Sequence, residues 1–172
     1  MKKEISALRS DSPFKSITDN LIENNFKFEY KILDLSIIES NRIISEYLNI
    51  PLASKVLSYK KMRIIEDIPT SIEQVYIEYR KVIGLENINL ENKSLYKTLK
   101  DMYNYEVHRS EEELLVVKAT EEEKELLKLE NDDYVNFTRG ISYLSNNSIL
   151  EYYELISRYD FFKYRSVISY EW

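Results

Sequence analysis

KMRIIEDIPTSIEQVYI, residues 61–77, is the stretch on which the fold turns. Two runs rich in isoleucine, valine and tyrosine flank an acidic, proline-containing break. That pattern predicts an antiparallel hairpin, with one strand from about Lys55 to Ile65 and its return from Thr70 to Tyr79. Side chains two apart on a strand share a face. Leu57, Tyr59, Lys61, Arg63 and Ile65 therefore point one way, and Val56, Lys60, Met62 and Ile64 the other. Neither face is purely polar, so the sheet is expected to be covered on both sides in places. The cations on the first face have two readings. They pair with a carboxylate on a neighbouring strand, Glu73 being nearest, or they receive an anion. Read from this strand alone, the ion pair is favoured, although an exposed pair contributes only about 0–1 kcal/mol.

Working outward, SITDNLIENNF (16–26) reads as a helix whose start is Ser16, with Asp19 returning the bond in a variant capping box. KFEYKILDLSI (27–37) alternates as a strand through Phe28, Tyr30 and Ile32, then shifts phase to Leu33, Leu35 and Ile37, the mark of a bulge. Ile43, Ile44, Tyr47 and Leu48 fall at helical spacing. KSLYKTLKDMY (93–103) predicts a helix with Leu95, Leu99 and Met102 on one face. YEVHRSEEELLVVK (105–118) is extended. TEEEKELLKL (120–129) opens a helix with Thr120 as cap and Glu123 three positions on. DYVNFTRGISYLS (133–145) and SILEYYELIS (148–157) are strands joined at Asn146–Asn147, and FKYRSVISYEW (162–172) offers a last strand. Helix, strand, turn, strand thus occurs twice, about 80 residues apart, with Leu48 answering to Leu127. The expectation is an α+β domain: a central antiparallel β-sheet flanked by helices, built from two similar helix-hairpin halves.

Composition narrows the function. The chain has 172 residues, 44% hydrophobic and 31% charged, a globular composition of one-domain length. No apolar run reaches the roughly 20 residues that span a bilayer, so no membrane role is expected. Net charge is −6, which argues against a direct grip on nucleic-acid phosphates. Two glycines leave no Gly-rich phosphate loop, and one histidine and no cysteine leave almost nothing for histidine triads or metal sites. No metal or other cofactor is expected. The lack of cysteine fits a cytoplasmic location.

Three groupings remain as candidate chemistry. The first is Lys61 with Arg63. The second is the helix start at Ser16, with Lys15 before it, since free amides at a helix N-terminus attract anions; Ser94 opens a similar helix, and most such caps bind nothing. The third is Glu73 and Glu154, carboxylates on the return strands of the two hairpins. A carboxylate held in a sheet needs a partner, which here is a ligand or an arginine such as Arg63 or Arg158.

In order and spacing these pieces resemble the UTRA domain, the effector-binding half of GntR-type bacterial regulators of the HutC subfamily. Three blocks carry the resemblance: KMRIIEDIPTSIEQVYI; IGLENINLENKSLYKTLKDMYNYEV (83–107); and ATEEEKELLKLENDDYVNFTRGISYLSNNSILEYYELISRYDFFKY (119–164). The resemblance implies a chorismate-lyase-like fold over 14–172, with 1–13 as a tail or linker remnant. It implies a homodimer that binds a small anionic effector, often a phosphorylated sugar, and meets operator DNA only through an attached winged helix-turn-helix, which this sequence does not contain. Residue by residue, Lys61 and Arg63 match the family's phosphate-clamping arginines, and Lys15 and Ser16 the helix start that cradles the phosphate. Ser94 and Tyr96 match pocket residues of the family's SLY block, Glu73 and Glu154 its hydroxyl acceptors, Arg158 part of its last motif, and Phe162 a position where many members carry a ligand-facing tyrosine. Lys61 in place of arginine trades a planar fork for a point charge. Two alternatives stay open: an enzyme on the chorismate-lyase-like fold, and a dimerisation module with a degenerate pocket.

Overall fold

The computed structural model describes residues 7–9, 17–129 and 134–164. Six strands form one antiparallel sheet in the order β2-β3-β4-β7-β6-β5, and a short β1 pairs in parallel with β8. The strands are β1 (Ala7–Arg9), β2 (Phe28–Glu39), β3 (Lys55–Ile65), β4 (Ile68–Glu78), β5 (Val107–Lys118), β6 (Tyr134–Leu144), β7 (Ile149–Arg158) and β8 (Phe162–Tyr164). The helices are α1 (Ile17–Glu23), α2 (Arg42–Leu48), α3 (Leu95–Tyr103) and α4 (Glu121–Leu127).

The internal repeat governs the architecture. β2-α2-β3-β4 and β5-α4-β6-β7 each lay down three antiparallel strands, and the halves meet where β4 pairs with β7. Both α2 and α4 span seven residues and end on a left-handed residue, Asn49 and Lys128. Leu48 and Leu127 are both buried at those ends. α4 carries the expected capping box, Glu123 N–H donating to Thr120 Oγ1 (3.3 Å) and Thr120 N–H to Glu123 Oε2 (2.8 Å). The phase shift in β2 is a register irregularity between Ile32 and Asp34. The first hairpin turns at Glu66 and Asp67, both at positive φ, as a tight primed turn requires. Non-glycine residues hold it because Glu66 Oε1 accepts from Lys27 N–H and Asp67 pairs with Lys27 Nζ.

The two faces are covered differently. α2 packs Ile44 and Leu48 on Val56 and Tyr152, and α4 packs Leu127 on Ile72 and Val135, both on one face. The other face carries Leu57, Tyr59, Val75, Ile77 and Tyr153 under α3 and the chain before it, through Val82, Leu85, Leu90, Leu95 and Leu99. α1 closes the far end of that same face, Leu21 meeting Ile65 and Phe161.

Two expectations change. Residues 7–9, read as tail, form a strand with Phe162–Tyr164, because a strand edge needs hydrogen-bond partners. The last strand is described over Phe162–Tyr164, and the rest of the expected strand, residues 165–172, lies outside the described residues. Met102 is 46% exposed, so α3 buries Leu95 and Leu99 but turns Met102 to solvent.

Candidate anion-binding site

Between α1 and α3 the sheet face is polar, and β3 and β4 build it. Lys61 is opposite Glu73 in the register, and Arg63 is opposite Ser71. Lys61 Nζ lies 3.2 Å and Arg63 Nη2 3.1 Å from the same oxygen, Glu73 Oε2. Arg63 Nη1 donates to Ser71 Oγ at 2.9 Å. The cations are 4% and 3% exposed. Tyr30 on β2 lies against both, its ring 4.8 Å from Lys61 Nζ and 5.3 Å from the Arg63 guanidinium carbon. Thr18 of α1 fixes the Tyr30 hydroxyl at 2.6 Å, and Asn92 Oδ1, ahead of α3, accepts from Tyr30 N–H. Both flanking segments are thereby tied to the cation pair.

The electrostatics leave a surplus of positive charge. Two buried cations share one carboxylate, and a buried ion needs compensation by charge or hydrogen bonds. Burial pushes the Glu73 carboxyl up, but Lys61 and Arg63 outweigh it and hold it below the usual range.

A second cluster lies on the same face. Glu151 of β7 is 1% exposed. Its Oε1 accepts from the Tyr96 hydroxyl of α3 and, at 2.9 Å, from Ser142 Oγ of β6. Burial pushes its carboxyl up to about 7 against the pull of those two donors. Burial, and then Glu151, drives the Tyr96 phenol well above its ordinary value.

Among the described residues, four buried side-chain polar atoms lack a hydrogen-bond partner: Arg63 Nε, Tyr59 Oη, Glu151 Oε2 and Ser157 Oγ. Strand parity puts all four on this face, since Tyr59 shares it with Lys61, Ser157 is opposite Ser71, and Glu151 meets Ser142. Buried polar atoms are satisfied almost everywhere in native proteins. Their convergence on one face, beside two cations sharing one anion, is what a polar ligand's site requires.

The residues singled out in the sequence divide accordingly. Lys61, Arg63, Glu73 and Tyr96 come together on this face. Ser94 serves as the α3 cap, accepting from Lys97 N–H. Glu154 and Arg158 do not join, because β7 parity turns them to the opposite face. Glu154 accepts from the Tyr152 hydroxyl at 2.5 Å, beside the stacked Tyr47 and Tyr152 rings. Arg158 binds Asp160 and donates to the carbonyl of Leu127 at the end of α4. Lys15, Ser16 and the Phe162 side chain lie outside the described residues. Glu151 and Ser157 were not singled out. Glu151 comes opposite Ser142 only past a register shift between Ser142 and Tyr143, which no local pattern announces.

Comparison with known proteins agrees with the architecture. The HTH-type transcriptional repressor NagR of Bacillus subtilis is 23% identical over 157 residues, covering 90% of this chain and 64% of NagR. The chain thus spans less than two thirds of the length of that curated relative. PhnF of Mycobacterium smegmatis superposes with a TM-score of 0.86 at 14% identity, over 98% of this chain and 73% of PhnF. A GntR-family transcriptional regulator from Bacillus cereus does so at 0.72 and 25% identity, over 83% of this chain and 99% of that one. Residues 23–163 match the UTRA domain, and on that span the chain belongs to the UTRA domain family.

Proposed function

We propose that this chain is the effector-binding domain of a GntR-type transcription regulator of the HutC subfamily, and that it senses a small anionic metabolite, a phosphorylated sugar or a close analogue. The observation that carries the reading is the Lys61–Arg63–Glu73 cluster with four unsatisfied buried polar atoms around it. The anion docks on Lys61 and Arg63, where Glu73 now sits, and Tyr59, Ser157 and Glu151 meet the ligand's hydroxyls. Lys15 and Ser16 complete the anion end, with α1 beginning at the next residue, Ile17. Glu151 takes the hydroxyl-binding position that the sequence pattern gave to Glu154. The site works as a sensor, not an enzyme, and the protein acts in the cytoplasm. Ligand binding draws α1 and α3 toward one arrangement through Tyr30, and that difference between states is what an attached DNA-binding domain would read.

Calorimetry with a panel of sugar phosphates and phosphonates tests this. A binder is expected to lose at least about tenfold in affinity in Arg63→Ala, because a charge-assisted bond to a buried guanidinium is removed. Equal affinity in the variant takes Arg63 out of the site.

The sheet also ends on a surface suited to a homodimer. Leu114, Leu115 and Val116 on the edge strand β5 are 49%, 45% and 67% exposed, with no charge among them. Edge strands of soluble domains usually guard such stretches. Antiparallel pairing of two copies about Leu115 sets Leu114 beside Val116 and Glu112 beside Lys118, so the strand is complementary to itself.

A further inference from the structure

We propose that ligand capture at the Lys61–Arg63 pair is coupled to the uptake of one proton from solvent by Glu151. The inference rests on the anion site proposed above and adds its regulation by pH. Among the described residues Glu151 has no counter-ion. Its Oε1 is held by Tyr96 of α3 and Ser142 of β6, and its Oε2 has no partner among the described residues. The charged groups whose fields reach it are Glu73 of β4, which opposes ionisation, and Lys61 of β3, which favours it. Tyr153, on its own strand, is engaged by Glu112 of β5, and Ser110 of β5 backs Ser142 at 3.1 Å. Among the described residues no cation touches Glu151.

This balance shifts when an anion arrives. Lys61 is then neutralised by the ligand, and the one favourable field on the ionised carboxyl is screened. The ligand adds a like charge and excludes water. Each change favours the protonated acid. The proton comes from solvent and stays on Oε2, the oxygen with no partner, which becomes a donor able to reach a ligand oxygen. Ligand-free Glu151 titrates at about 7, so uptake falls within the physiological range. Above that pH the ligand must enter beside two carboxylates instead of one, and affinity falls.

The test needs an anion that does not itself titrate. Glucose 6-sulfate serves, because a phosphate monoester has a second pKa near 6. Wild-type affinity is expected to fall about tenfold from pH 6.5 to 8.5, with proton uptake seen as a buffer-dependent binding enthalpy. Glu151→Gln should bind with affinity flat to within about twofold over that range, because the amide cannot exchange a proton. An equal slope in wild type and variant overturns the proposal and leaves the anion site standing. Carbon-13 carboxyl NMR of glutamate-labelled wild type gives a reading that no variant can confound. One glutamate should titrate near neutrality, since exposed ones titrate near 4.3, and its midpoint should rise with ligand. A spectrum in which every glutamate titrates below about pH 5.5 overturns it. Absence of binding by glucose 6-sulfate and by the sugar phosphates at every pH would defeat both readings.

Discussion

Two glutamates on one sheet face carry opposite acid–base behaviour, and their neighbours decide which. Glu73 lies between two cations, so its native pKa is depressed. Its stabilising contribution is complete above the unfolded value of about 4.3 and is lost as pH falls through the native value. Glu73→Gln is expected to lose roughly 2–4 kcal/mol at pH 7 by stranding two buried cations. The gap to wild type should close in acid, as urea titrations at pH 7 and pH 3 would record. Glu151 is the reverse case, raised to about 7 by burial. Between pH 4.3 and 7 the native state binds more protons than the unfolded one, so stability falls as pH rises through that window. The loss is on the order of 4 kcal/mol, from about 1.4 kcal/mol per pH unit. Glu151→Gln should therefore melt later than wild type at pH 8 and show no advantage at pH 5. Scanning calorimetry at the two pH values decides it.

At the scale of elements, the strands place the chemistry and the helices frame it. Parity along β7 separates Glu151 from Glu154 by three residues and puts them on opposite faces of the sheet. Gly140 shows how closely β6 packs. A Cβ there would meet Tyr153 Cζ and Oη at 2.6 Å and the carbonyl oxygen of Glu111 at 2.7 Å. The backbone oxygen cannot yield as a side chain can. Gly140→Ala is expected to destabilise by about 1–3 kcal/mol, read as a lower urea midpoint with unchanged m-value. On α4, Thr120→Ala removes the hydroxyl half of the capping box and is expected to cost about 1 kcal/mol. A shift in midpoint below about 0.3 kcal/mol would mean that tertiary packing, chiefly Leu127 on Ile72 and Val135, holds the helix without its cap.

For the whole molecule, the homodimer proposed above would make two six-stranded sheets continuous through β5 and bury the Leu114–Val116 edge. Sedimentation velocity at tens of micromolar should show a dimer for wild type and a monomer for Val116→Lys, with far-UV dichroism unchanged. The sequence has no cysteine, so Leu115→Cys introduces a single thiol. Oxidation should link two copies there, while a cysteine at the distant, exposed Asp101 should not. A monomeric wild type would overturn the interface.

Local periodicity determined a large part of this. The α+β class, the paired halves, the first hairpin, the β2 bulge and the α4 capping box all follow from spacing and turn chemistry. Each depends on residues a few positions apart, and the chain displays those directly. The same hairpin gave Lys61, Arg63 and their tie to Glu73, because register across a tight turn is fixed by its length. The rest of the site depended on tertiary structure. Glu151 becomes conspicuous only once β7 is seated between β4 and β6 and α3 lowers Tyr96 onto it, since burial and field are properties of the assembled sheet. Glu154 sits in a similar local sequence but faces α2, and the fold gave it a tyrosine for company. Charge and spacing set two cations on one strand; the packing of three distant segments decided which carboxylate is buried on their face.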